Sequence, residues 1–148
     1  MVWSMSTLEQ ERTLTGHRSR VRALQFVGGR LVSGSYDRSI RVWDVGAGRC
    51  EGVLEGHTDW VTSLAVSGNR LLIGSGDMSV RVWGMAGEAS SWRCERTLDG
   101  QGSVVRCLAA WGDRVACGCV DGGIGIWSLE TWGLERTLSA DDVSIVLL

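Results

Sequence analysis

Few side chains here could do acid–base or nucleophilic chemistry: two histidines, His17 and His57, five cysteines, and aspartates that recur at Asp37, Asp77 and Asp121. A histidine beside a carboxylate is the minimum for general-base catalysis. Yet both histidines follow a glycine and stand 26 residues before a tryptophan, Gly16-His17 before Trp43 and Gly56-His57 before Trp83. That spacing describes one position used twice rather than one centre. The aspartates are 40 and 44 residues apart, which separates them by whole units and rules against a carboxylate pair. Cys117-Gly118-Cys119 would put two thiols on one strand face, but no second cysteine pair or nearby histidine completes a tetrahedral zinc set. Gly122-Gly123-Ile124-Gly125 has no helix after it to receive a phosphate.

These positions sit in a repeating unit. Gly34-Ser35-Tyr36-Asp37-Arg38-Ser39-Ile40-Arg41-Val42-Trp43-Asp44 joins a strand end, a polar turn and a second strand, and the pattern returns around Asp77 and Trp83 and around Asp121 and Trp127. A period of about 40 marks a repeat architecture whose units bury their apolar faces against neighbours. Within each unit apolar residues alternate with period two. First strands are expected at 21–26, 61–66 and 105–110, reversing at Gly28-Gly29-Arg30, Gly68-Asn69-Arg70 and Gly112-Asp113-Arg114, where Gly or Asn can adopt positive φ. Second strands at 31–33, 71–73 and 115–117 are almost continuously apolar, as suits a strand covered on both faces. Third strands at 40–43, 80–83 and 124–127 and weaker fourth strands at 52–54, 96–98 and 136–138 complete the unit. Four short antiparallel strands per unit predict an all-β chain built of β-propeller blades. Residues 87–91 lengthen the second interval and are expected to form a longer surface loop.

Composition narrows the function classes. A net charge of −2 offers no general attraction to nucleic acid or anionic lipid. All fifteen basic residues are arginine, a residue suited to bidentate carboxylate or phosphate contacts, although a coding bias would produce the same count. Apolar runs are only a few residues long, and the start lacks a basic stretch followed by an apolar one. An intracellular chain, cytoplasmic or nuclear, is therefore expected. An odd cysteine count without a secretory context argues against a disulfide framework. Cys107 and Cys117 fall at apolar strand positions and read as small core residues.

The Gly-His pairs, the turn aspartates and the literal Trp43-Asp44 ending, linked at fixed spacing, resemble the WD-repeat β-propellers over essentially the whole chain. The resemblance implies a buried hydrogen-bond chain of histidine, second-strand serine or threonine, turn aspartate and third-strand tryptophan. In the first unit these are His17, Ser33, Asp37 and Trp43. The second keeps His57, Asp77 and Trp83 but has Ile73 for the serine and Gly84 for the final aspartate. The third keeps Asp121 and Trp127, with Gln101 for histidine and Cys117 for serine. Rigidity is expected to fall from first unit to third. The histidines thus take a structural role, and the expectation is a non-enzyme with no catalytic residue, cofactor or metal. A thiol-dependent enzyme would require a sulfur reactive well below neutral pH.

The resemblance also implies a partner-binding face formed by residues three and five after the histidine and by the one before the turn aspartate. These are Arg20, Arg22 and Tyr36, then Trp60, Thr62 and Gly76, then Val104, Arg106 and Val120. Arginines beside flat aromatic area suit an acidic or phosphorylated peptide; arginines that merely solvate a face are the plain alternative. Trp3 stands 40 residues before Trp43, so 1–15 reads as the end of a preceding blade, followed by blades at 16–55, 56–99 and 100–139 and a first strand of a further blade at 140–148. About 3.7 units are fewer than the usual seven-bladed ring. The expectation is a partial β-propeller, a piece of a larger scaffold or substrate adaptor that binds other proteins, completed by remaining blades or by a second copy. A truncated, functionally idle product is the alternative.

Overall fold

The computed structural model describes residues 1–139, and all regular structure there is β except one turn of 3-10 helix. A two-stranded sheet, β1 (Val2–Trp3) with β2 (Gln10–Arg12), precedes three four-stranded antiparallel sheets. The first comprises β3 (Val21–Val27), β4 (Arg30–Ser35), β5 (Ile40–Asp44) and β6 (Arg49–Leu54). The second comprises β7 (Val61–Ser67), β8 (Arg70–Ser75), β9 (Val80–Gly84) and β10 (Arg93–Leu98). The third comprises β11 (Val105–Trp111), β12 (Arg114–Cys119), β13 (Ile124–Ser128) and β14 (Leu134–Leu138). Strand order follows chain order in each. The expected first strand at 140–148 lies outside the described residues.

Each first hairpin closes through two residues. Gly28 and Gly29 both take positive φ, 51° and 82°, and Gly68 and Gly112 open their turns at 55° and 52°, the backbone twist that a tight hairpin needs. Near the other end of every first strand the register slips by one residue, between Val21 and Ala23, Val61 and Ser63, and Val105 and Cys107. Arg22, Thr62 and Arg106 are the extra residues of these β-bulges, which re-aim a side chain relative to the pleat.

The sheets stack through two apolar layers. Val32, Ile40, Val42 and Leu54 of the first meet Val61, Leu71, Ile73 and Trp83 of the second. Leu72, Val80, Val82 and Leu98 of the second meet Val105, Val115, Cys117 and Trp127 of the third. The inner strands β3, β7 and β11 neighbour one another in turn, so the sheets radiate like successive blades. The arc is open: it is a partial β-propeller.

Three expectations need correction. The fourth strands extend beyond 52–54 and 96–98: β6 and β10 run to six residues each. Residues 87–91 are more than a surface loop, because the 3-10 turn Ala89–Ser91 buries Ala89 and delivers Trp92, 1% and 3% exposed, into the first interface. Cys117 is buried, but Cys107 is exposed, since no sheet among the described residues covers that side.

Candidate functional site

In the first sheet the Gly-His segment, β4, the β4–β5 turn and β5 bring four side chains into one line. His17 Nδ1 lies 2.9 Å from Asp37 Oδ2 and its Nε2 lies 2.7 Å from Ser33 Oγ. Trp43 Nε1–H donates to the same hydroxyl at 2.8 Å. An ionised carboxylate can only accept, so Nδ1–H of the neutral imidazole donates to Asp37 and the bare Nε2 accepts the hydrogen bond from the Ser33 hydroxyl. Asp37 also accepts from Ser39 Oγ at 2.6 Å, from the Ser39 N–H at 2.9 Å and from the Arg18 N–H at 2.8 Å. Burial alone would raise its pKa; the bonds from Ser39, Arg18 and His17 outweigh that and hold the carboxyl well below its ordinary range. Both imidazole nitrogens are engaged, so His17 anchors the loop to the sheet.

The second and third sheets lose parts of this chain where their sequences depart. His57 Nδ1 meets Asp77 Oδ2 at 2.8 Å, and Asp77 accepts from Thr58 N–H and from Ser79. Ile73 brings no hydroxyl, and the buried Trp83 Nε1 has no hydrogen-bond partner among the described residues. In the third sheet Cys117 Sγ donates to Gln101 Oε1 at 2.8 Å, while Trp127 Nε1 and Gln101 Nε2 lack partners among the described residues. Asp121 is exposed and accepts the Gly123 N–H at 2.9 Å. The Cys117 thiol is pushed up to about 11 by burial and by nearby Cys119, the opposite of an activated thiolate.

Sequence reasoning missed three features. Ser35 and Ser75, fully buried, receive the N–H of Asp37 and Asp77 and donate to the Ser19 and Asp59 carbonyls; the signal was Ser-x-Asp-x-Ser in both turns. Arg41 and Arg81 cross beneath Gly16 and Gly56, whose φ angles of 153° and 143° L side chains rarely adopt, which explains the glycine before each histidine. An arginine opening each second strand pairs with a glutamate of the fourth: Arg30–Glu51 at 2.7 Å, Arg70–Glu95 at 3.2 Å and Arg114–Glu135 at 2.8 Å.

The second network should be sensitive to pH. Burial, opposed by Asp77, lowers the His57 pKa from its ordinary value, and Asp77 is lowered in turn by bonds from Ser79 and His57 that outweigh its own burial. For both groups the folded value lies below the unfolded one, so the unfolded chain binds more protons and stability rises with pH. The His57 contribution is complete above about 6.5 and is lost as pH descends through the folded value. The expected result is a lower urea midpoint at pH 5 than at pH 7, with a smaller difference in His57→Asn. Equal midpoints in the native chain would contradict it.

Of the nine positions expected to line a partner face, Arg20, Arg22, Tyr36, Trp60, Thr62 and Arg106 divide into separate groups. Tyr36 in the first β-turn and Trp60 before β7 stack across the sheet boundary, ring centres 4.7 Å apart and planes 10° from parallel. Trp60 remains 51% exposed. The Tyr36 N–H bonds the Arg20 carbonyl at 2.9 Å, which places exposed Arg20 at the same rim. Arg22 instead lines a cavity of about 290 Å³ between the two-stranded sheet and the first sheet, with Met1, Val2, Leu14, Val21 and Leu24. Thr62 Oγ1 donates to the Val105 carbonyl at 2.6 Å, across to the third sheet. Arg106 is exposed on β11.

An arc of four-stranded antiparallel sheets, with a His–Ser–Trp–Asp chain tying loop to sheet, defines a β-propeller segment. The WD domain, G-beta repeat family matches residues 8–44, 48–84 and 92–128, and the chain belongs to that family. Its repeats are counted out of phase with the sheets. The crystal structure of the computationally designed Ika8 protein is similar with a TM-score of 0.81 and 32% identity, over 92% of this chain and 42% of that one. The designed Ika4 protein gives 0.77 and 33%, over 88% and 79%. The WD40 β-propeller domain of Doa1 gives 0.73 and 28%, over 86% and 42%. Among curated proteins, the periodic tryptophan protein 2 homolog of Schizosaccharomyces pombe is 41% identical over 46 residues, which is 30% of this chain and 5% of that protein. WD40 propellers typically act as protein-interaction scaffolds. Among the described residues no helix is long and apolar enough to cross a membrane.

Proposed function

We propose that the chain is a non-catalytic scaffold or adaptor segment, with blades at 16–55, 56–99 and 100–139, that presents one loop face to acidic or phosphorylated segments of partner proteins inside the cell. The observation that carries this reading is the Tyr36–Trp60 stack beside Arg20. Two aromatic rings already held in contact across a sheet boundary form a flat platform that loses little freedom on binding. An adjacent arginine supplies the fork that fits a carboxylate or phosphate. Three-sheet stacking below keeps that geometry rigid, as suits display rather than bond making.

The test is fluorescence anisotropy with a degenerate phosphoserine peptide pool and its unphosphorylated counterpart. Binding should favour the phosphorylated pool, and Arg20→Glu should weaken it at least tenfold with an unchanged melt. Arg20 is exposed, so folding should not suffer. Equal binding by native and variant protein would reject this face.

A further inference from the structure

Trp3 is out of place. Its counterparts one, two and three units later, Trp43, Trp83 and Trp127, are 3%, 8% and 7% exposed, whereas Trp3 is 55% exposed. Trp83 lies in the cluster formed with Val32, Ile40, Val42 and Leu54, and Trp127 in that formed with Leu72, Val80, Val82 and Leu98. Each is the residue with which one sheet grips the apolar face of the sheet before it. Successive strand residues alternate faces: Val2 lines the cavity against the first sheet, which turns Trp3 to the opposite side.

The third sheet carries the complementary vacancy. Ile124, Ile126 and Leu138 stand where Ile40, Val42 and Leu54 stand in the first sheet and Val80, Val82 and Leu98 in the second. Those six are 0–3% exposed; Ile124 is 38% exposed, and Ile126 and Leu138 are only half-buried. Among the described residues, a tryptophan without its apolar face therefore sits at one end of the stack, and an apolar face without its tryptophan at the other. The same parts are already joined twice inside the chain.

We propose that a second copy of this chain supplies the match: β1–β2 of one copy docks on the open face of the third sheet of the other, with Trp3 over Ile126 and Leu138. Such a contact joins unlike surfaces, so it must either close into a ring or propagate into a filament. The two-stranded sheet and the three four-stranded sheets occupy four successive blade positions. Two copies then occupy eight, within the range of roughly four to eight blades in which propellers close, and two identical contacts complete the ring. The inference concerns the ends of the stack and is independent of what the loop face binds.

Light scattering on purified residues 1–148 tests it. A concentration-independent mass of twice 16.0 kDa is expected, and Trp3→Ala and Ile126→Arg should each halve it. Trp3 is largely exposed within one copy, so Trp3→Ala removes little internal packing and remains informative if Ile126→Arg fails to fold. Mixing the two variants should regenerate a two-chain species, because one of its two contacts is then native on both sides. A 16.0 kDa native monomer overturns the proposal. So does a mass that climbs with concentration, or a Trp3→Ala variant that keeps the native mass.

Discussion

Asp37→Ala should lower stability by about 3 kcal/mol or more. The carboxylate accepts from His17, Ser39 Oγ and two backbone N–H groups, and alanine leaves all of them to find water in a half-buried turn. The damage spreads along the line, since an untethered His17 no longer receives the Ser33 hydroxyl on which Trp43 depends. Asp121→Ala is the control: that side chain is exposed and accepts the Gly123 N–H without any histidine, so its removal should cost under about 1 kcal/mol. Urea melts compare the totals, and hydrogen exchange locates them, with protection lost first in β3–β6 for Asp37→Ala. Equal costs at the two positions would show that the buried line contributes nothing beyond an ordinary turn.

Gly74→Val should cost about 3 kcal/mol, and the same change at Gly118 under about 1 kcal/mol. Val61 of the second sheet sits against Gly34 of the first, and Val105 of the third against Gly74 of the second. A Cβ on Gly74 would stand 2.7 Å from both Val105 Cγ1 and Ser63 Oγ, with Val105 itself fully buried. Neither strand can retreat without opening the interface. At Gly118 the one nearby atom among the described residues is Cys107 Sγ, at 2.7 Å, the tip of an exposed side chain that can turn away. Val105→Ala combined with Gly74→Val should recover part of the loss, because the two residues share one space. If both glycines tolerate valine equally, close sheet packing is not what selects glycine there.

The family, the strand order and the histidine–aspartate pairing were readable from the chain because each is a local pattern written several times. Period-two alternation marks the strands, and a repeat of about 40 lifts a weak signal above chance. The departures were readable too: Ile73 and Cys117 were visible where Ser33 stands, and the unpaired indoles of Trp83 and Trp127 follow from them. Sequence also placed Arg22, Thr62 and Arg106 at one equivalent position. That they are bulge residues with three different surroundings was hidden, since a bulge breaks the alternation by a single residue and each side chain answers to a different neighbouring sheet. Tyr36 and Trp60 lie in separate units, so only packing reveals that their rings touch. The same holds for Ala89 and Trp92, read as loop and found in an interface. Alternation assigns a residue to one of two faces of its strand; which sheet covers that face, or whether any does, depends on the stacking of distant segments. That is why Trp3 and Ile126 look like their buried counterparts in sequence and differ from them only in the folded molecule.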